Sequence, residues 1–170
     1  MNCEGRTGSN KAKAVFSTGK VMATVFWNSH GVILIDYLQK GKTITEAYYV
    51  SLLDKLKAKI AEKRPHLQKK KILFYLDNAS HTSAVSMGKI HELWLELLDH
   101  LPYSSDLAPS DFLLFPHLKI ALGGQSFSTN EELITFVKNN FAEKNSEYYL
   151  DGLQRWEYCW EKCTVSRRLC

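Results

Sequence analysis

KKKILFYLDNASH, residues Lys69 to His81, decides the fold. Its centre, Ile72 to Asp77, is an almost unbroken apolar run that closes on a carboxylate, which suits a strand covered on both faces. Ligand sites in open α/β sheets gather at the carboxyl ends of such strands, so Asp77 stands where chemistry would be placed. Lys69, Lys70 and Lys71, just ahead of the run, suit a solvated strand entrance and also suit contact with a nucleic-acid backbone.

On the amino-terminal side, KVMATVFW from Lys20 and VILIDYL at Val32–Leu38 are rich in branched and aromatic residues. The short polar break containing Gly31 between them predicts an antiparallel hairpin. Thr43 followed by Glu46 is a capping-box pattern and predicts a helix start. Leu52, Leu53, Leu56 and Ile60 then share one helix face, Lys55, Lys57, Lys59 and Lys63 face water, and Pro65 ends the run.

On the carboxyl-terminal side, Ser80 to Leu93 has helical periodicity and Trp94 to His100 alternates like a strand. Pro109 suits a first helical turn and predicts a helix through Phe112, Phe115 and Leu118. Thr129 with Glu132 repeats the capping box ahead of Leu133, Phe136, Val137 and Phe141. A last helix is expected over Tyr148–Thr164, with Leu153, Trp156 and Trp160 as its buried stripe. Hairpin, helix, strand, helix, strand, helices is the order of an α/β protein with a mixed sheet.

The 170 residues fit one domain, expected over 20–164 between a poorly ordered tail at 1–19 and a short tail at 165–170. Folding at this length buries about 70% of the extended chain's surface, enough for a proper core. The 45% hydrophobic and 24% charged content excludes a disordered or disulfide-scaffold class. Twenty-two Lys and Arg against eighteen Asp and Glu give +4, which tolerates a polyanionic partner without requiring one. No apolar run approaches the roughly 18 residues of a membrane span. The polar start, Met1 to Asn10, is unlike a signal peptide, so nucleus or cytosol is the expected setting. Cys159 and Cys163 are four apart, but neither a His nor a second Cys pair lies near them to build a zinc site.

Asp111 lies 34 positions beyond Asp77 at the start of a helix, where the macrodipole favours its charge. Two such acids offer hard oxygens to Mg²⁺ or Mn²⁺, and paired ions can activate the attacking oxygen and stabilise the leaving one in phosphodiester cleavage. Spacing alone leaves the plainer reading open, since an Asp at a strand end or in a first helical turn is commonly a cap or turn residue. Asn78 and His81 can touch phosphate or orient a carboxylate, and they are equally at home in a strand-to-helix turn. Asp36 and Asp99 read as structural, and Asp106 as a turn residue.

LDNASH at Leu76–His81 and HLPYSSDLAPSDFLLF at His100–Phe115 resemble the segments carrying the second and third acids of mariner-family transposases. Further likeness runs through VFW…HGVILIDYL, GKTIT, KRP, FSTNEEL and WEKC, so the resemblance covers about Lys20 to Cys163. It implies an RNase H-like mixed sheet flanked by helices, with Asp77 and Asp111 as catalytic metal ligands for Mg²⁺ or Mn²⁺. It also implies DNA as partner, a possible homodimer and a nuclear location. The parent reaction is metal-dependent cleavage of DNA strands and their transfer to a target.

This sequence departs from the family pattern at several points. The first acid, in a Gly-Asp-Glu context on the central strand, has no counterpart here, and Asp36 and Asn28 align elsewhere. The turn after Ala79 is one residue short, and Ser105 stands in a proline position, loosening that turn. No helix-turn-helix pair and no clamp loop match. The resemblance therefore implies a core lacking its first strand and non-catalytic in isolation, with weak, sequence-independent affinity through Lys69, Lys70, Lys71 and Lys119. The alternatives are residual metal-dependent nicking and an interaction or oligomerisation module. Relatives fused to a SET methyltransferase exist in this family, but no motif for methyl transfer is present.

Overall fold

The computed structural model describes residues 21–67, 70–76, 83–98 and 108–168. The hairpin forms as its branched residues require: β1 (Met22–Asn28) pairs antiparallel with β2 (Gly31–Leu38) around Ser29 and His30. Gly31 closes the turn at φ +121, and a Cβ there would sit 3.5 Å from the Tyr149 ring. The backbone angle selects glycine, whereas a Cβ at that distance would make only ordinary van der Waals contact. A register shift between Phe26 and Trp27 marks a bulge, which bends and twists the strand locally.

Helix α1 (Glu46–Lys63) starts two residues later than the Thr43 pattern predicts. Thr45 is the cap, its hydroxyl accepting from the Tyr48 amide at 3.2 Å. Glu46 reaches away from that turn and accepts the Ser83 hydroxyl instead, so a tertiary partner overrides the local box. The expected apolar face is borne out: Leu52, Leu53, Leu56 and Ile60 are all buried. The helix stops at Lys63, and Pro65–Leu67 form one 3₁₀ turn.

Strand β3 (Ile72–Tyr75) pairs parallel with β4 (Leu95–Leu98), the connection passing through α2 (Ala84–Glu92). The expectation that β3 is covered on both faces is wrong in part, because Leu73 is 64% exposed. Trp94 lies outside β4, at φ 61 in the turn after α2. Among the described residues the strands form two pairs, β1 with β2 and β3 with β4, with no hydrogen bonds joining the pairs. Antiparallel and parallel pairing thus both occur, as a mixed sheet requires, and the Phe26 and Phe74 rings stack between the pairs at 6.1 Å.

The chain then runs through a π-helical turn, Ser110–Leu114, into α3 (Phe115–Leu122), followed by α4 (Asn130–Ala142) and α5 (Ser146–Arg168). At α4 the cap is where the sequence puts it: Thr129 accepts from the Glu132 amide at 3.2 Å, and Glu132 accepts from the Ser128 amide at 2.8 Å. Helix α5 continues to Arg168, past Thr164. Its buried positions include Tyr149 and Gly152, while Leu153, Trp156 and Trp160 are only half-buried, a correction to the expected stripe.

The hairpin is covered on both faces. Phe26 and Ile33 pack with α1, α2 and β4, while Val25, Trp27, Val32 and Ile35 pack with α4, α5 and the π turn. Burial of each large apolar side chain contributes about 1.5–3 kcal/mol.

Asp36 proves structural, as expected. It accepts the Tyr48 hydroxyl and pairs with Lys55 at 2.8 Å. Burial pushes its carboxyl up, but the Lys55 hydrogen bond and charge and the Tyr48 hydrogen bond outweigh it, leaving the pKa below the usual range. Tyr48 is pushed up to about 12 by burial and by Asp36. A carboxyl lowered in the folded state contributes stability above its unfolded pKa of about 3.9, lost as pH falls through the folded value. Asp36→Asn should therefore cost about 0.5–1.5 kcal/mol at pH 7, kept modest by the half-exposed Lys55. The gap from the parent should close below about pH 4, as urea melts at both pH values would measure; a gap independent of pH would refute the pairing.

Candidate functional site

Asp111 sits in the π turn that opens into α3. Pro116 has no N–H to return to the Phe112 carbonyl, and the chain widens there, so that the Phe115 amide bonds back to the Ser110 carbonyl, five residues earlier. Ahead of it the Phe112 amide bonds to the Ala108 carbonyl at 2.9 Å, and Ala108 is fully buried.

Three contacts hold this segment. The Trp27 indole N–H donates to Ser110 Oγ at 3.0 Å. Tyr148, itself in contact with His117, donates to the Leu113 carbonyl at 3.4 Å. Leu113 lies against Gly152 of α5, where a Cβ would come within 2.3 Å of it. The Trp27 ring is backed by Tyr149 at 5.9 Å, whose hydroxyl donates to the Phe141 carbonyl at 3.0 Å. Asp111 is thus carried by a braced element, and its half-buried side chain engages neighbouring groups.

The carboxyl end of β3 comes to the same place. Tyr75 packs edge-on against Trp156 at 6.1 Å, and both line a cavity with Pro109 and Ser110. The elements leading to Asp77 and bearing Asp111 therefore converge. Asp77, Asn78, His81 and Lys69 lie outside the described residues, as do Asp99 and Asp106. Lys70 and Lys71 stand exposed at the entry to β3, and Lys119 is exposed on α3.

A basic cluster went unforeseen. Lys59 and Lys63 of α1 meet Lys138 of α4 and Lys144 just after it around a cavity of ≈ 460 Å³, whose floor is β2 from Gly31 to Ile35, on the edge that no strand pairs with among the described residues. Lys59 pairs with Glu62 at 2.6 Å. Lys63 donates to the Val32 carbonyl at 3.3 Å, Lys138 lies over the Tyr37 ring and Lys144 over the Tyr148 ring. Those three have no carboxylate partner among the described ion pairs. Only Lys59 and Lys63, four apart on a polar helix face, were visible as a pair in the sequence.

Among the described residues no group of three or more His, Cys, Asp or Glu could hold a metal ion. A carboxylate such as that of Asp111 is the type of hard oxygen donor that Mg²⁺ and Mn²⁺ take. No helix among the described residues is long and apolar enough to cross a membrane.

A sequence profile described as "Transposase (partial DDE domain)" matches residues 3–70. The chain is 37% identical over 150 residues to the Mariner Mos1 transposase of Drosophila mauritiana, covering 86% of this chain and 44% of that protein. It is 29% identical over 153 residues to the Homo sapiens histone-lysine N-methyltransferase SETMAR, covering 89% of this chain and 22% of that protein. In structure it matches the Mos1 transposase catalytic domain with raltegravir and Mg at a TM-score of 0.80 and 37% identity, covering 86% of this chain and 74% of that one. It matches a pre-cleavage Mos1 transpososome at 0.83 and 32% identity, covering 98% and 49%.

The fold is that of an RNase H-like catalytic domain with a partial sheet. The chain spans less than half the length of the curated relatives it matches. It belongs to the mariner family of transposases.

Proposed function

We propose that this chain is a mariner-type catalytic core that binds DNA weakly and without sequence preference, and whose ancestral reaction is metal-dependent cleavage and transfer of DNA strands. The carrying observation is the 37% identity to a catalytic domain solved with Mg and with Mn. The convergence of β3 and the Asp111 turn on one cavity supports it.

In this reading Asp77 and Asp111 would hold Mg²⁺ or Mn²⁺, which when bound would supply charge stabilisation for the oxygens that attack and leave phosphorus. The chain's own contribution is placement: Trp27 fixes Ser110, and through it the turn that carries Asp111. Asn78 and His81 would contact the scissile phosphate. Lys69, Lys70, Lys71 and Lys119 hold the backbone, joined by the lysines around β2. A nuclear location and pairing with a second copy belong to the same proposal; a relative solved as a Mos1 paired-end complex supports the pairing.

Within these 170 residues two of the family's three acids have counterparts, and metals held by two carboxylates alone should lower the cleavage rate by about 10³-fold or more, on the order of 4 kcal/mol of barrier. Plasmid nicking with Mg²⁺ or Mn²⁺ should accordingly stay near background for the full chain. Any nicking above it should disappear in Asp77→Ala and Asp111→Ala. Nicking above background and equal in all three proteins would remove these acids from the site, and robust nicking abolished by either variant would favour the second reading, a working nuclease.

A further inference from the structure

Every residue of β2 from Gly31 to Ile35 lines the cavity of ≈ 460 Å³ that the lysines surround. A groove over a sheet's face would meet every second residue, because side chains alternate, whereas one along an edge meets them all. The other edge of β2 is taken by β1, and among the described residues no strand pairs along this one. Its polar groups are turned to the cavity: the Val32 carbonyl accepts from Lys63 Nζ at 3.3 Å.

The lysines reach this edge from both sides of the hairpin. Helix α1 packs with Phe26 and Ile33 on one face and brings Lys59 and Lys63, while α4 packs with Val32 and Ile35 on the other and brings Lys138, with Lys144 following it. No acidic residue belongs to the lining among the described residues. A row of backbone donors and acceptors therefore runs between two banks of positive charge.

A second copy of this chain is a poor occupant, because its own β2 edge carries the same lysines. Residues 1–20 are poor too, with Glu4 as their one acid against Arg6, Lys11, Lys13 and Lys20. Duplex DNA brings phosphates to the lysines, but phosphates carry no donors and leave the edge carbonyls unmet. An extended peptide offers donors and acceptors along its edge, and its successive side chains point alternately to the two sides.

We infer that this edge is a docking site for an acidic, extended segment of about five residues from another polypeptide, seated by strand addition to β2 with its carboxylates divided between the two banks of lysines. The length follows the stretch of β2 that lines the cavity. Carboxylates belong at adjacent positions, since acids at every second position would serve one bank only. On arrival a peptide amide replaces Lys63 at the Val32 carbonyl and frees that ammonium for a carboxylate. This inference goes beyond the DNA reading and does not rest on it.

The test uses the full chain and a dye-labelled peptide, Glu-Glu-Val-Glu-Glu, blocked at both ends and followed by fluorescence anisotropy at low salt. Saturable binding is expected. Methylating the second and third amide nitrogens, one of which faces β2 in either orientation, keeps every charge and should weaken binding about tenfold or more. Gln-Gln-Val-Gln-Gln should lose at least as much. Lys63→Glu on one bank, and Lys138→Glu with Lys144→Glu on the other, should each weaken binding about tenfold or more. Lys162→Glu, the same reversal exposed on α5 outside the cavity, should bind as the parent does.

No saturable signal, equal affinity for the glutamine peptide, or unchanged affinity in either lysine variant would overturn the proposal. Equal binding of the methylated peptide would overturn it too, and displacement of both peptides by duplex DNA would then give the rim to nucleic acid alone.

Discussion

Valine in place of Gly152 should lower the unfolding midpoint by about 4–10 °C, which is roughly 2–3 kcal/mol for a chain of this length. A Cβ at 152 would stand 2.3, 2.6 and 2.9 Å from three atoms of the Leu113 side chain. Leu113 is buried at 5% exposure and has little free space to turn into. Alanine should do less harm, since replacing a helical glycine gains up to about 1 kcal/mol of propensity against the clash. Leu113→Ala should recover part of the loss in the valine background, and melts of the four proteins form a cycle that isolates the contact. Strictly additive effects would mean that Gly152 and Leu113 do not constrain each other. Because Leu113 lies two residues after Asp111, the same substitution should loosen the turn bearing that acid.

Reversing Lys63, Lys138 and Lys144 to Glu should weaken binding to duplex DNA by about 100-fold or more at low salt. It should also flatten the dependence of log affinity on log salt by roughly 2–3 units, close to one per phosphate contact removed. The three lysines come from two helical regions, surround one concavity and have no carboxylate partner among the described residues, so their charge acts outward. Lys119→Glu, a single site on α3, should cost about tenfold or less. An unchanged salt slope in the triple variant would take this face out of DNA binding and leave the Lys69–Lys71 run as the contact.

The elements that were readable beforehand are those whose signals are local. Two runs of branched and aromatic residues around a short polar break marked the β1–β2 hairpin, the Leu52–Leu53–Leu56–Ile60 spacing marked α1, and Thr129 with Glu132 marked α4. Misreadings arose where a distant partner intervenes. The Thr43 box fails because Glu46 is drawn to Ser83, 37 residues away. Leu73 faces outward although its strand reads as fully apolar, because periodicity cannot say which faces the helices will cover. The π turn follows from one proline seen only against its finished helix, and the lysine cluster needs α1 and the end of α4 side by side. Of the site, Asp111 was legible as an acid at a helix start, but the bracing by Trp27, Tyr148 and Gly152 joins positions 27 to 152 and has no local signature.

The rim of β2 left unpaired among the described residues carries a different consequence. Unpaired strand margins invite sister molecules to zip together into insoluble ladders, and natural proteins blunt them with cations. Lys63, already bonded to the Val32 carbonyl, with Lys138 and Lys144 beside it, sits where such a safeguard is needed. Drift of these positions to apolar residues would be resisted by colloidal stability alone, even in a cell that had no further use for the domain's ancestral chemistry.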